Sequence, residues 1–310
     1  MSDIHFRHEA LLYSGDDQFV AGTLPFIRDG LQAGEPVLVA VAGARIDALK
    51  QALGDDGERV HFADMRVLGR NPARIIPAWS DFLSRRARDG SPVRGIGEPV
   101  WPGRTRAELS ECRRHESLLN CAFDGRQTWS LLCPYDLDGL DDEAIDVAYR
   151  THPLVSRDGA AQRSRQYVHP GSSPGPFAGG LPPFGEGTTE LRFAGEQLGL
   201  LRRRLSSWAL QLGLEARCNE QLVLAVNELA SNSVRYGGGS GTVRMFRDQE
   251  TLLVEIVDAG RITAPLAGRV RPTPQQLAGR GLWLVNQLCD LVQIRSGESG
   301  TVVRLHIHLN

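Results

Sequence analysis

NELASNSVRYG, residues 227–237, has the apolar spacing of a helix but carries an unusual number of polar side chains. Glu228, Asn232 and Arg235 stand at positions i, i+4 and i+7, so they line one face of the predicted helix. Two interpretations fit this pattern: a solvated face on an amphipathic helix that ends near Gly237, or a polar site for a ligand. The remainder of the sequence distinguishes between them.

The composition argues against several classes of partner. The chain has 310 residues and a formal net charge of -2, which offers no electrostatic footprint for nucleic acid or an anionic membrane. Its apolar runs, such as VLVAVAGA at 37–44, are far shorter than the roughly 20 residues of a membrane span. No export signal opens the sequence. We therefore expect a cytoplasmic protein that binds neither nucleic acid nor membrane directly.

The cysteines show no pattern typical of disulfides or of a zinc site. There are 5 cysteines, an odd number, and none of them form a CxxC pair. In a reducing cytoplasm they are expected to be free thiols.

A segment rich in Pro, Gly and Ser, residues 169–187, predicts a linker between two domains, residues 1–168 and 188–310. In the first domain, short β-type runs alternate with helical patterns, which predicts a mostly parallel sheet with helices on both faces. In the second, a strand is followed by two helices, two strands, a helix and two strands. This order predicts a two-layer α/β sandwich with a mixed sheet.

Three short motifs follow the 227–237 helix in a fixed order. A predicted strand ends in Asp258-Ala259-Gly260, a helix opens with GRGL at 279–282, and the last strand opens with Gly300 and Thr301. Each motif alone is ordinary turn or helix-start chemistry. Their order and spacing favour a ligand site over a solvated helix face.

Together these residues resemble the Bergerat-fold ATPase superfamily, which includes gyrase, Hsp90, histidine kinases and MutL, and most closely its anti-sigma factor serine/threonine kinases. The resemblance covers roughly residues 188–310 and implies ATP and Mg²⁺ as cofactors. It implies that Glu228 and Asn232 are the helix carboxylate and amide, and that Asp258 binds the adenine amino group. It also implies that Gly260 and Thr301 belong to the nucleotide site.

The chemistry of the side chains agrees with these roles. Asn232 offers an oxygen to Mg²⁺, and Glu228 is placed to accept a proton from an attacking hydroxyl. Gly279 and Gly281 leave room for phosphates near the N–H groups at a helix start. The two arginines beside these residues either contact phosphate or remain solvated, and the sequence leaves both possibilities open: Arg235 and Arg280.

The sequence departs from the family at Ile262, where relatives often have a glycine two residues after the DxG motif. The predicted nucleotide lid, residues 261–278, is therefore expected to close differently. No histidine lies between the linker and His306, which argues against a sensor histidine kinase with its phosphoacceptor helix. Two activities stay open: phosphorylation of a partner, or a nucleotide-dependent binding module without phosphotransfer. The resemblance implies a sigma factor or its antagonist as partner, and a homodimer is possible.

The first domain resembles the MEDS sensory domain over roughly residues 1–155, which implies an α/β fold and a small-molecule signal. The resemblance is carried by the stretches HEALLYSGDDQF, EPVLVAV, MRVLGRNPARIIPAW, GIGEPVWPGR and RRHESLLNCAF. The sole lysine, Lys50, lies outside any GxxxxGK[ST] loop, so nucleotide hydrolysis is not expected here. The candidate sensing residues are His8, Glu98, Trp101, Cys112, His115 and Cys121.

Cys112 and His115 are at i and i+3, a spacing that permits a shared metal or redox role. The alternative is a buried thiol beside a histidine that satisfies a local hydrogen bond, and it is the more common arrangement. We therefore expect no metal at this pair. Glu98 and Trp101 follow a predicted strand, where α/β sheets often bind ligands.

Overall fold

The structure is a computed structural model, and it describes residues 6–87, 90–123, 128–157, 159–170, 177–273, 275–276 and 279–309. The chain divides into two compact units, residues 1–173 and 174–310. Within the described residues, every helix is too short or too polar to span a bilayer.

The first unit contains a seven-stranded sheet in the order β3-β2-β4-β5-β1-β6-β7. Its strands are β1 Phe6–Tyr13, β2 Val37–Val41, β3 His61–Asp64, β4 Val93–Gly97, β5 Trp129–Asp136, β6 Leu154–Arg157 and β7 Ala160–Arg163. Its helices are α1 Gly15–Gln32, α2 Gly43–Leu53, α3 Met65–Leu68, α4 Ile75–Arg86, α5 Arg106–Ala122 and α6 Asp142–Thr151. All neighbouring strands are parallel except β6 and β7, which confirms the predicted mostly parallel sheet.

Helices cover both faces of this sheet, as predicted. Ile96 and Leu132 pack on one face in a cluster with residues of α1 and α2. On the other face, Trp79 of α4 lies so close to the sheet that a Cβ added to Gly95 or Gly97 would be 2.9 Å from its ring. Glycine is therefore required at both positions of β4, because a side chain there would displace the tryptophan.

The β6–β7 hairpin is not among the predicted elements. Both strands have 4 residues, and β7 is exposed along its whole length. A strand this short and exposed shows no alternation of apolar and polar residues, so the sequence carries no periodic signal for it.

The second unit contains a five-stranded sheet in the order β11-β12-β10-β9-β8. Its strands are β8 Thr189–Ala194, β9 Ser240–Asp248, β10 Thr251–Asp258, β11 Leu291–Gly297 and β12 Gly300–His308, and its helices are α7 Leu198–Gln211, α8 Ala216–Tyr236 and α9 Arg280–Leu288. The two-layer α/β sandwich is confirmed, but the expected mixed sheet is wrong. Every pair of neighbouring strands is antiparallel.

The register of this sheet separates an apolar face from a charged one. Val254 pairs with Leu305, and both belong to the core beneath the helices. The next pair, Glu255 and Arg304, faces away from that core, and Arg304 Nη2 donates to Glu255 Oε2 at 2.6 Å. The two side chains are only 6% and 7% exposed, so the charged face is also covered.

Part of the predicted linker supplies this cover. Arg304 Nη2 donates to the carbonyl oxygen of Pro182 at 2.7 Å, and its guanidinium lies 4.3 Å from the ring centre of Phe184. Phe184 in turn stacks on Phe246, and Phe177 is buried in the core. These residues of the 169–187 segment therefore pack on the second unit, whereas residues 171–176 lie outside the described part.

Candidate functional site

A cavity of about 290 Å³ lies in the second unit between the C-terminal half of α8, the end of β10 and the start of α9. Six of the predicted nucleotide-site residues line it: Asn232, Asp258, Gly260, Gly279, Gly281 and Thr301. Apolar side chains supply much of the remaining wall: Leu229, Ile256, Ile262, Leu282 and Val303. An apolar cavity with a few convergent polar groups is typical of a small-molecule site.

Asp258 is fixed by two hydrogen bonds at the end of β10. Its Oδ2 accepts from the hydroxyl of Ser233 on α8 at 2.6 Å, and its Oδ1 accepts from the N–H of Gly260 at 2.7 Å. A Cβ added to Gly237 would lie 2.6 Å from the carboxylate carbon, so only glycine fits where α8 ends against Asp258. The carboxylate is held rigidly and keeps further acceptor capacity.

Glu228 and Asn232 lie beside the first turn of α9. A Cβ added to Gly281 would be 2.9 Å from Glu228 Oε2 and 3.3 Å from Asn232 Nδ2. Gly279, which precedes the helix, has a φ of 86°, a left-handed conformation that glycine adopts without strain. These glycines bring the N–H groups at the start of α9 close to the polar face of α8, where the helix dipole favours an anion.

A chain of hydrogen bonds joins Thr301 to the start of the lid. The hydroxyl of Thr301 donates to the carbonyl oxygen of Gly260 at 2.8 Å, and Ser296 Oγ lies 2.8 Å from Thr301 Oγ1. The N–H of Ile262 donates to Ser296 Oγ at 2.8 Å. Ile262 therefore anchors the backbone at the start of the predicted lid, while its side chain lines the cavity and packs on the core.

The two predicted arginines do not line the cavity. Arg235 and Arg280 are exposed, and Arg280 Nη2 donates weakly to the carbonyl oxygen of Thr273 at 3.4 Å. Of the predicted lid, residues 274, 277 and 278 lie outside the described part of the chain. Sequence reasoning missed Ser233 and Ser296. A serine is too common in helices and strands to signal a supporting role.

In the first unit, Glu98 lies at the carboxyl edge of the parallel sheet. Its Oε1 accepts from the hydroxyl of Tyr13 at 3.1 Å and pairs with Arg45, and Arg45 Nη2 also contacts Asp136 Oδ2 at 3.1 Å. Glu98 Oε2 is buried without a hydrogen-bond partner among the described residues. Trp101 and Arg45 line an adjacent cavity of about 250 Å³. A site at this edge is where open α/β sheets bind ligands.

The candidate residues Cys112 and His115 both lie on α5 and are buried. Cys112 Sγ donates to the carbonyl oxygen of Pro99 at 3.2 Å, and burial raises the pKa of this thiol to about 12. His115 is buried on the same helix but is not part of the group of metal-ligand atoms that lies nearby. The common alternative, a buried thiol with a local hydrogen bond, describes Cys112.

His8 instead joins a buried cluster with three residues that sequence reasoning missed: Glu116, Cys133 and His152. One ligand-type atom from each lies within 4.8 Å of all the others. Burial lowers the pKa of His8 to about 4, with the neighbouring His152 contributing in the same direction. No spacing in the sequence signals this cluster, because its members come from elements far apart in the chain.

The second unit is thus a two-layer α/β sandwich with a cavity at the predicted motifs. Residues 191–307 match the family of the histidine kinase-like ATPase domain. Residues 7–153 match the MEDS family, the methanogen/methylotroph, DcmR sensory domain. The chain thus combines a MEDS domain with a histidine kinase-like ATPase domain, as the motifs predicted.

Similarity to solved structures is low. The crystal structure of the RsbU and RsbW domains of Rv1364c from Mycobacterium tuberculosis matches at 18% identity with a TM-score of 0.30, over 39% of this chain and 32% of that chain. The Acinetobacter baumannii histidine kinase AdeS matches at 14% identity with a TM-score of 0.26, over 39% of this chain and 68% of that chain. The chain thus spans about a third of the first of these structures. No curated protein matches it.

Proposed function

We propose that the second unit binds ATP with Mg²⁺ and transfers the terminal phosphoryl group to a serine or threonine of an antagonist protein. The observation that carries this proposal is the convergence of Asp258, Asn232 and the start of α9 on one cavity within a histidine kinase-like ATPase domain. The first unit would regulate this activity in response to a small molecule.

Asp258 is the residue that recognises adenine in this proposal. Its carboxylate accepts hydrogen bonds, and the amino group of adenine donates them. The flanking apolar wall, which includes Ile256 and Val303, suits an aromatic ring. The cavity volume of about 290 Å³ is near the lower end of the roughly 300–1,000 Å³ of small-molecule sites, so it suits the base more than the whole nucleotide.

The phosphates would then extend toward the start of α9. The N–H groups after Gly279 favour negative charge, and the absence of a side chain at Gly281 leaves the approach open. Asn232 would hold Mg²⁺, which when bound neutralises phosphate charge. Glu228, one turn earlier on α8, would accept the proton of the attacking hydroxyl, while the hydroxyl oxygen bonds to the terminal phosphorus and ADP leaves.

The identity of the partner rests on the order of the motifs between Glu228 and Thr301. This order resembles that of anti-sigma factor kinases, so we propose a sigma factor or its antagonist as the protein partner, with a homodimer as the acting form. For the first unit we propose that the small-molecule signal binds in the cavity beside Trp101. Arg45 also lines this cavity, and its ion pair with Glu98 connects the cavity to that candidate sensing residue.

Labelled ATP tests this proposal directly. Glu228→Gln should reduce transfer of the terminal phosphate to a candidate antagonist by about 10²- to 10⁴-fold, as expected for loss of a general base. Its ATP affinity, measured by calorimetry, should change by less than about threefold, because catalysis by a base acts on the transition state rather than on binding. Glu220→Gln, which alters an exposed glutamate on the same helix, is the matched control and should behave like the wild type.

The outcomes separate the two activities left open by the sequence. Transfer that survives Glu228→Gln would refute the role of Glu228. ATP binding without transfer in the wild type would leave a nucleotide-dependent binding module, an outcome consistent with the anchoring of the lid through Ile262. Absence of ATP binding would refute the proposal as a whole.

A further inference from the structure

The buried cluster of the first unit brings four metal-ligand side chains together, and we name it the His8 cluster: His8, Glu116, Cys133 and His152. His8 is on β1 and Cys133 on the neighbouring β5. Since His8 pairs with Leu131 in the parallel register, Cys133 two residues later points to the same face. Glu116 comes from α5, and His152 follows the last residue of α6. All four residues are buried.

Hydrogen bonds fix the tautomer of His8. Asn120 Nδ2 donates to the carbonyl oxygens of Thr151 at 2.8 Å and Glu116 at 3.3 Å, so its amide orientation is determined. The oxygen of that amide, Asn120 Oδ1, therefore faces His8 Nδ1 at 3.1 Å, and His8 must carry its proton on Nδ1. In the neutral ring, the lone pair of His8 Nε2 then points into the cluster.

The same argument applies to His152. Its Nδ1 lies 2.9 Å from the carbonyl oxygen of Ala148, which can only accept a hydrogen bond. The hydroxyl of Thr151 uses its own proton on the carbonyl oxygen of Val147 at 2.8 Å, so it also acts as an acceptor for His152 Nδ1 at 3.0 Å. His152 therefore carries its proton on Nδ1, and its Nε2 presents a second lone pair to the cluster.

Both lone pairs converge on a carboxylate. Glu116 Oε2 lies 3.1 Å from His8 Nε2 and 3.2 Å from His152 Nε2. Three electron-pair donors at these distances repel each other unless a cation lies among them. Glu116 Oε1 and His152 Nε2 are also buried without a hydrogen-bond partner among the described residues, and the one hydrogen bond to Glu116 Oε2, from the Cys133 thiol, is long at 3.8 Å. Cys133 Sγ, 3.5 Å from His8 Nε2, completes the set.

We infer that the His8 cluster binds a divalent transition-metal ion, zinc above all, through the Nε2 atoms of His8 and His152, a Glu116 oxygen and Cys133 Sγ. Tetrahedral coordination with bonds of about 2.0–2.3 Å places neighbouring ligand atoms about 3.3–3.8 Å apart. The separations of 3.1, 3.2, 3.5 and 3.8 Å in the cluster are close to this range.

Charge and ligand type agree with this assignment. A divalent ion with one carboxylate, one thiolate and two neutral imidazoles forms a neutral site, which removes the cost of an unpaired buried charge. Imidazole and thiolate ligands select zinc and similar ions over Mg²⁺ and Ca²⁺, which take oxygen ligands. Because the protein supplies four ligands, coordination is complete. The ion would hold β1, β5, α5 and the end of α6 together rather than activate water.

Elemental analysis of the full chain, purified without a histidine tag or chelator, tests the site. About one zinc ion per chain is expected, since a closed tetrahedral site holds a single ion. Cys133→Ser and His152→Gln should each lower the metal content severalfold. Cys218→Ser and His61→Gln, which alter a cysteine and a histidine outside the cluster, are the matched controls and should retain the wild-type content.

Cobalt gives a second readout that does not depend on variants folding well. After removal of zinc, Co²⁺ added to the wild-type chain should produce thiolate-to-cobalt charge-transfer absorption, and the melting temperature should rise because the ion binds only the folded state. Metal content far below one per chain together with no cobalt absorption would refute the site and leave a protonated histidine as the cation. Absorption that persists unchanged in folded Cys133→Ser would also refute it.

Discussion

The His8 cluster of the first unit is sealed from solvent, whereas most of the predicted nucleotide-site residues of the second unit line a cavity and stay partly exposed. Glu116 and its two histidine neighbours have no accessible side-chain surface. Asp258 and Asn232 are only partly buried, and Asp258 is held by Ser233 and Gly260 in an orientation that leaves acceptor capacity free. We therefore expect substitutions in the sealed cluster to change mainly the stability of the fold, and substitutions at the cavity to change mainly the binding of a ligand.

The largest effect is expected from Glu116→Ala. Removing the carboxylate takes a charged ligand from the proposed divalent ion, and loss of one partner of a buried ionic contact costs about 3–5 kcal/mol of the free energy of unfolding. Hydrogen exchange followed by mass spectrometry should show faster exchange in β1 and β5, with β10 and β12 unchanged. Glu143→Ala, which removes an exposed ion pair with Arg113, is the control and should cost at most about 1 kcal/mol. If β1 and β5 were equally protected from hydrogen exchange in Glu116→Ala and Glu143→Ala, the buried carboxylate of Glu116 would not stabilise the first unit.

The second unit also has a partly buried titratable group, but on the face away from its core. Burial, assisted by Arg304, lowers the pKa of His306 to about 4 from 6.5. Between these values the unfolded chain binds more protons than the folded one, so stability is full above pH 6.5 and falls as the pH drops toward 4. His306→Gln should reduce the loss of unfolding free energy between pH 7 and pH 5 by about 2 kcal/mol.

Nuclear magnetic resonance titration of the His306 ring measures its pKa directly, and denaturation midpoints at about pH 7 and about pH 5, on either side of the ordinary histidine pKa, measure the effect on stability. His169→Gln, at an exposed position, is the matched control and should leave the slope unchanged. A His306 pKa near the ordinary value of 6.5 would show that this face of the sheet is open to water.

Asp258→Asn should separate ligand binding from stability. Loss of the negative charge removes a charge-assisted hydrogen bond worth about 1.5–3 kcal/mol, so calorimetry should show ATP affinity reduced by about 10- to 100-fold. The melting temperature without nucleotide should change little, because the amide oxygen can still accept one of the two hydrogen bonds. A large loss of stability with unchanged ATP affinity would show that Asp258 stabilises the fold and does not bind the nucleotide.

The smallest effect is expected from Ser233→Ala. The Ser233 hydroxyl donates to Asp258, and Ser233 does not line the cavity. Its removal should therefore weaken ATP binding, measured by calorimetry, by less than about tenfold, the value of one ordinary hydrogen bond. Ser206→Ala is the matched control, because the Ser206 hydroxyl on α7 accepts a hydrogen bond from Asn219 and does not line the cavity. An effect as large as that of Asp258→Asn would instead indicate that Ser233 contacts the ligand.

The sequence by itself determined the two α/β architectures and the ATPase-type motifs, because both depend on local features. Apolar periodicity sets helices and strands, and the order of the motifs around Glu228, Asp258 and Gly279 is readable along the chain. The antiparallel order of the second sheet and the β6–β7 hairpin were not readable, since strand pairing is a non-local choice. The sequence also could not show whether Arg235 and Arg280 contact phosphate, because the exposure of a side chain depends on the folded surface.

Only the tertiary structure decided which polar residues meet. His8 and Cys133 are 125 positions apart, yet the β1–β5 pairing places them 3.5 Å from each other. Cys112 and His115 share a helix and a suggestive spacing, but the thiol of Cys112 faces the carbonyl oxygen of Pro99 instead. Spacing along one helix limits which side chains can meet, whereas the packing of separate elements decides which ones do.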